Sequence, residues 1–404
     1  MTAAYVVGTC DTKYRELKYV VERIQEMGVP TVLVDVGSTP HGNTVDVTNE
    51  EVAAYHPEGK RIVGSVDDRG EAVRLMAEAF AEFLPSREDL AGVVGLGGSG
   101  GTSLVTTGMR RLPVGVPKVM VSTVASGDVS PYVGPNDIAM MYSVVDVAGI
   151  NRISRTVLAN AAHALAGMIK GEIPSPAEAK PAMGMTMFGV TTPAVTAVRE
   201  KLEADYDVLV FHATGTGGQS MEKLADSGML SGIIDVTTTE VCDLFMGGVM
   251  SAGEDRFGAV IRTKLPYVGS TGALDMVNFG AKDTVPEKYK DRNLYVHNPQ
   301  VTLMRTTPEE NRRMGEWIAS RLNDAEGPVR FLIPENGVSL IDAEGQPFHD
   351  PKADAELFSA IERTLTQTDN RKLIKLPYNV NDPEFADALV ENFREIMQKG
   401  DTAQ

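Results

Sequence analysis

The sequence predicts an α/β protein made of two Rossmann-like, doubly wound parallel-sheet subdomains with a cleft between them. Three observations carry this prediction. Short β-branched runs alternate with stretches of helical periodicity. A polar segment at 170–181, carrying Pro174, Pro176 and Pro181, breaks the alternation near the middle of the chain. Strand–glycine loop–helix passages then occur on both sides of that break. At 404 residues the chain is long enough for two or three domains. The expected division is 1–175, a nucleotide-binding subdomain, and 182–404, a second α/β subdomain.

In the first half, strands are expected at 5–10, 31–36, 92–96, 118–123 and 138–143. Glu16, Leu17, Val20, Val21 and Ile24 form a stripe at helical spacing between the first two. Thr48 to Glu51 reads as a capping box. A long helix is expected at 148–168. In the second half, strands are expected near 185–190, 208–212, 232–236, 265–268, 301–305, 330–333 and 373–376. Thr307-Pro308-Glu309-Glu310 caps one later helix, and Asp382-Pro383 opens the last.

Charge and composition exclude several classes. Lys+Arg number 38 and Asp+Glu 55, a net charge of −17, with no basic run. Nucleic acid and anionic membranes both need clustered cations, so neither is an expected partner. The charge-poor stretch 91–109 is rich in Gly, Ser and Thr and reads as a buried strand and loop rather than a membrane span. Two distant cysteines, Cys10 and Cys242, make no disulfide framework. The N-terminus shows no signal-peptide pattern. A cytoplasmic protein is expected.

The strongest chemical signal is Gly95 to Ser103. It partly fits G-x-G-x-x-G through Gly95, Gly97 and Gly100, but no acidic residue follows until Asp128. It partly fits a P-loop, but Gly101 stands where the lysine belongs. Glycines that reach positive φ, a helix starting near Ser99 and the hydroxyls of Ser99, Thr102 and Ser103 suit a phosphate or carboxylate. Tight strand–helix packing is the plainer alternative. The passage Thr214-Gly215-Thr216-Gly217-Gly218 follows a strand in the same way and offers a second anion site or packing alone.

Ligands in open α/β sheets lie beyond the carboxyl ends of strands. Residues expected there include Thr9, Cys10, Asp11, Thr12 and Lys13. Lys13 is a phosphate neutraliser or a solvated lysine, and Asp11 a ligand group or a helix N-cap. Asp35 is placed to bond a ribose hydroxyl. Cys10 is either activated by its helix start or a buried inert thiol. Ser126 and Asp128 follow the fourth strand. Candidate Mg²⁺ ligands are Asp128, Asp137, Asp146 and Glu240. The six histidines lack zinc spacing, and His212, beside the second glycine loop, is the one singled out.

These segments together resemble a known family. They are Gly8 to Lys13, Gly95 to Thr102, 120–134, Phe211 to Gly218, 273–280 and 297–307. The chain is similar to the uncharacterised bacterial and fungal family related to the ATP-binding amino-terminal domain of the tomato mosaic virus resistance protein. The resemblance implies an ATP-binding protein with Mg²⁺ that forms a homodimer. The resemblance carries over its glycine and threonine segments as nucleotide-site candidates; together with the strand-end residues, the candidate set is Thr9, Asp11, Thr12, Lys13, Asp35, Gly97, Gly98, Ser99, Gly100, Gly101, Thr102, Ser126, Thr214, Gly215, Thr216, Gly217 and Gly218. Two other functions stay open. One is an enzyme acting on a small anionic metabolite, with His212, Glu240 or Asp128 as acid/base groups. The other is a protein-interaction module stabilised by nucleotide.

Overall fold

The computed structural model describes residues 2–39, 41–59, 68–174 and 180–401. The chain divides into two compact units, Met1–Ser175 and Pro176–Gln404.

The first unit holds β1 (Ala3–Gly8), α1 (Tyr14–Glu26), β2 (Thr31–Asp35), α2 (Asn49–Ala53), α3 (Arg69–Phe83), β3 (Leu90–Gly97), α4 (Ser99–Met109), β4 (Lys118–Ser122), α5 (Ser130–Val133), β5 (Ala139–Tyr142) and α6 (Arg152–Lys170). Its five strands are all parallel, in the order β2-β1-β3-β4-β5. A parallel sheet covered on both faces needs strands apolar at every position. β1 meets this by sending Tyr5 and Val7 into one core and Ala4 and Val6 into the other. On the first face α3 and α4 supply Leu75, Phe80, Leu104 and Val105. On the second, α1 supplies Leu17, Val20, Val21 and Ile24, the stripe expected from spacing. Burying such a side chain stabilises by roughly 1.5–3 kcal/mol. The Thr48 capping box is present, with Glu51 closing back on it.

The second unit holds β6 (Ala182–Met187), α7 (Thr192–Leu202), β7 (Asp207–His212), α8 (Thr216–Asp226), β8 (Gly232–Thr237), α9 (Glu240–Met246), α10 (Gly258–Thr263), β9 (Tyr267–Gly272), β10 (Met276–Phe279), β11 (Leu294–Asn298), β12 (Val301–Arg305), α11 (Pro308–Asn323), β13 (Val329–Pro334), α12 (Pro351–Thr364), β14 (Arg371–Leu376) and α13 (Pro383–Asp401). Six strands form a parallel sheet, β14-β13-β9-β8-β6-β7. Its first three strands repeat the arrangement of the first unit: the second strand pairs outside the first, and the third goes to the other side. Between β9 and β13 the chain inserts an antiparallel sheet, β10-β12-β11. Two of its strands, β10 and β11, carry no clear period-2 signal. β11 is an exposed edge from Tyr295 to Asn298, so no buried face imposed alternation on it.

The expected long helix at 148–168 begins later, because Asn151 caps it through the amides of Ile153 and Ser154. Residues 175–179 of the expected linker lie outside the described residues. Among the described residues no helix is long and apolar enough to cross a membrane.

Candidate functional site

A 2-1-3-4-5 sheet has a switch point between β1 and β3, where successive connections leave to opposite faces and open a crevice. The loops leaving these two strands line a cavity of about 680 Å³. The first contributes Thr9, Asp11, Thr12 and Lys13, and the second Gly97, Gly98, Ser99, Gly100 and Gly101. Val36, Ser38 and Thr39 come from the end of β2, and Asp146 from the segment after β5. Arg69, Ala72, Val73 and Met76 come from α3, and Leu104 from α4.

One part of this lining suits an anion. α4 starts at Ser99 behind Gly98, and no side chain caps it. The first amides of a helix lack partners within the helix and carry the positive end of its dipole. Lys13 and Arg69 add two cations, neither ion-paired among the described residues. Val36, Ala72, Val73, Met76 and Leu104 form an apolar wall.

The glycines separate into two kinds. A Cβ on Gly97 would lie 2.8 Å from Gly101 Cα, and one on Gly95 2.5 Å from a Val105 methyl. Packing dictates both. A Cβ on Gly100 would meet nothing within 4 Å, and those on Gly98 and Gly101 nothing nearer than 3.7 and 3.6 Å. Packing does not explain these three, whereas close approach by a ligand does. None of the five glycines from Gly95 to Gly101 has positive φ, so the conformational part of the sequence argument is corrected.

Other expectations are corrected too. Asp35 is buried, and its carboxylate accepts from the amides of Cys10 and Gly37 at 2.8 Å each and contacts His41 Nε2 at 2.9 Å. It has no oxygen turned to the cavity for a ribose. Thr102 is buried against Ser122, hydroxyl to hydroxyl at 2.6 Å. Ser126 is exposed and does not line the cavity. Asp11 caps nothing: the N-cap of α1 is Lys13, without a side-chain bond. Burial, with Asp35 and Asp11 adding to it, pushes the Cys10 thiol well up, which makes it inert.

The second glycine loop is filled by the protein itself. Glu240 Oε1 accepts from the amides of Gly215 at 2.8 Å and Gly218 at 3.0 Å. Its Oε2 accepts from Arg256 Nε at 2.9 Å. Arg256 also donates to Asp235 at 2.8 Å and Glu222 at 3.3 Å, and Tyr267 closes on Asp235 at 2.9 Å. Burial opposes the charge on Arg256, but Asp235 and Glu240 outweigh it and hold the pKa well above its ordinary value. The glycines here serve packing. A Cβ on Gly218 would lie 2.1 Å from Glu240 Oε2, and one on Gly217 1.8 Å from the His212 carbonyl. Gly215 (φ +86°) leaves no room beside the Ser251 carbonyl. The loop also leaves the second strand of its unit, not the third, so it is not the counterpart of residues 97–101.

The remaining acid/base candidates are placed elsewhere. Thr214 bonds the His212 carbonyl, and Thr216 is the exposed first residue of α8. His212 is exposed at the end of β7 and packs on Phe188 at 5.3 Å. Asp128 is exposed, and the Ser130 hydroxyl and amide hold its carboxyl below the ordinary range. Asp137 pairs with buried Lys118 at 2.7 Å. Of the four Mg²⁺ candidates only Asp146 lines the cavity. Among the described residues no three His, Cys, Asp or Glu side chains form a metal cluster.

Sequence reasoning missed Arg69, which opens α3 behind the cap Asp68, and a buried group around Arg305. Arg305 Nη2 contacts Asp342 at 3.2 Å and Asp354 at 2.7 Å, and Ser339 donates to nearby Asp275 at 2.8 Å. Burial, with too few cations to balance the carboxylates, pushes Asp275 up to about 6 and Asp342 and Asp354 to about 7.

Fold and site thus define a class: a doubly wound α/β protein whose first unit opens a polar cavity at its switch point. The chain belongs to the uncharacterised protein family UPF0261, matching its N-terminal domain over residues 2–174 and its C-terminal domain over 180–397. A UPF0261 protein of Rhizobium meliloti is 60% identical, covering 98% of this chain and 99% of that protein. The ToMV resistance protein Tm-1 of tomato, Solanum lycopersicum, is 44% identical over 98% of this chain and 56% of its own length. A solved UDP-GlcNAc 2-epimerase of Methanocaldococcus jannaschii aligns over 98% of this chain and all of its own, at 10% identity and TM-score 0.23.

Proposed function

We propose that the first unit binds ATP together with Mg²⁺ in the switch-point cavity. The observation that carries the proposal is the uncapped start of α4. Its Gly100 and Gly101 open onto the cavity without a packing reason to be glycine, and Lys13 and Arg69 line the same space, unpaired among the described residues. Backbone amides at a helix start, reinforced by two cations, are suited to a polyphosphate. The apolar wall on α3 and α4 suits a base, and about 680 Å³ is in the range of small-molecule sites. Asp146, alone or through water, is a side chain available to a magnesium ion held mainly by phosphate oxygens. The resemblance to the ATP-binding domain family supports the same reading and extends it to a homodimer.

The acid/base candidates of the metabolite-enzyme alternative do not line this cavity. Glu240 is tied to Arg256, and Asp128 and His212 line other surfaces. Titration calorimetry with ATP, with and without Mg²⁺, tests the proposal. Saturable one-to-one heat that Mg²⁺ strengthens is expected. No heat at millimolar ATP overturns it. Sedimentation of the same sample reads the oligomeric state.

A further inference from the structure

Asp11 has no evident structural role. It does not cap α1, and its Oδ1 is buried without a hydrogen-bond partner among the described residues, although the residue lines the cavity. An acceptor left in this state costs stability, a cost that a donor from a ligand in the cavity would offset. Its location indicates which donor. In the register of the sheet, Gly8 at the end of β1 pairs with Asp35 at the end of β2. The end of the second strand is where a doubly wound fold presents an acidic side chain to a ribose. Here the strand's own acid, Asp35, is turned inward to Cys10, Gly37 and His41. Asp11, from the neighbouring strand end, comes to the same place: a Cβ on Gly37 would lie 3.0 Å from Asp11 Oδ1 and 3.0 Å from Asp35 Oδ1.

We infer that Asp11 is the specificity residue of the cavity, accepting hydrogen bonds from the vicinal hydroxyls of a ribose-type sugar. The inference rests on the nucleotide reading of the same cavity and adds the part of the ligand that reading leaves open. Phosphates meet α4 and the two cations, the base meets the apolar wall, and the diol meets Asp11. A cation is the rival partner for a free carboxylate. Binding measured with and without Mg²⁺ separates the two.

The test is calorimetry on the full chain with ATP, 2′,3′-dideoxy-ATP and inorganic triphosphate, in Mg²⁺ and in EDTA. Wild type is compared with Asp11→Ala and the near-isosteric Asp11→Asn. Melting curves check that each variant is folded. Wild type is expected to prefer ATP over the dideoxy analogue by about ten- to a hundredfold, the range of a hydrogen bond to a charged group. Asp11→Ala should erase that preference and leave triphosphate binding unchanged. Asp11→Asn, which keeps an acceptor oxygen, should retain part of it. Undiminished preference in Asp11→Ala overturns the inference. So does a wild-type preference that disappears in EDTA, since Asp11 then serves a metal. Equal weakening of all three ligands assigns Asp11 a structural role and overturns it too. If neither ATP nor triphosphate binds wild type, the nucleotide reading itself fails, a result distinct from the other three.

Discussion

Replacing Gly100 with alanine should make this protein more stable and worse at binding. The added methyl would meet nothing within 4 Å, and the residue sits in the first turn of α4 with negative φ. Alanine therefore fits without strain. It should stabilise by about 0.4–1 kcal/mol, through helix propensity and a less free unfolded chain. For a unit of this size that is about 2–4 °C in Tm per kcal/mol. On the nucleotide proposal, the same methyl occupies space that a phosphate would enter to reach the amides. Losing one charge-assisted hydrogen bond costs about 1.5–3 kcal/mol, or about ten- to a hundredfold in ATP affinity. Differential scanning calorimetry without nucleotide reads the first effect, and titration calorimetry reads the second. Unchanged affinity in a stabilised variant would refute the claim that these amides meet the ligand. A lower Tm would refute the claim of open space.

Gly97→Ala is the contrasting case: its methyl would press on the backbone of Gly101, so Tm should fall by several degrees, and a neutral melt would contradict the packing argument. Glu240→Ala removes the buried acceptor of the Gly215 and Gly218 amides and of Arg256 Nε and should cost at least about 2 kcal/mol in urea unfolding; a loss under about 1 kcal/mol would show the network to be dispensable. The Arg305 group should make stability fall as pH rises. Its carboxyls, pushed up to about 6 and about 7, keep protons in the folded state that the unfolded chain releases near pH ~3.9. That contribution is complete below about pH 4 and lost as pH climbs through 7. Asp354→Asn should flatten the slope measured by urea unfolding between pH 5 and pH 8, and an unaltered slope would remove the cluster as its cause.

Much of the fold was legible because burial on both faces writes itself into strands such as β1, β3 and β4 as unbroken apolar runs. The inserted strands β10 and β11 were not, since one is only Met276–Phe279 and the other an exposed edge. Within the site, Thr9, Lys13 and the Gly97–Gly101 positions were readable from strand-end logic. Asp35 was misjudged for a reason no spacing reveals: three local donors reach it first. The second glycine loop was misjudged because its occupant, Glu240, lies 25 residues downstream of Gly215. Such a carboxylate resembles any other until the chain is folded.

The late position of α13 has a consequence for biosynthesis. Phe385, Leu389, Phe393 and Ile396 belong to the same core as Met183, Met185 and Val195 from the start of the second unit. Until α13 has been synthesised, the earliest strand of that unit is covered on this face only in part, by Ala194, Val195 and Val198 of α7. The first unit, whose cores draw only on its own strands and helices, has no such wait. Until α13 is made, a nascent chain therefore carries a finished first unit and an open second one, and the open one is where chaperones would find apolar surface to hold.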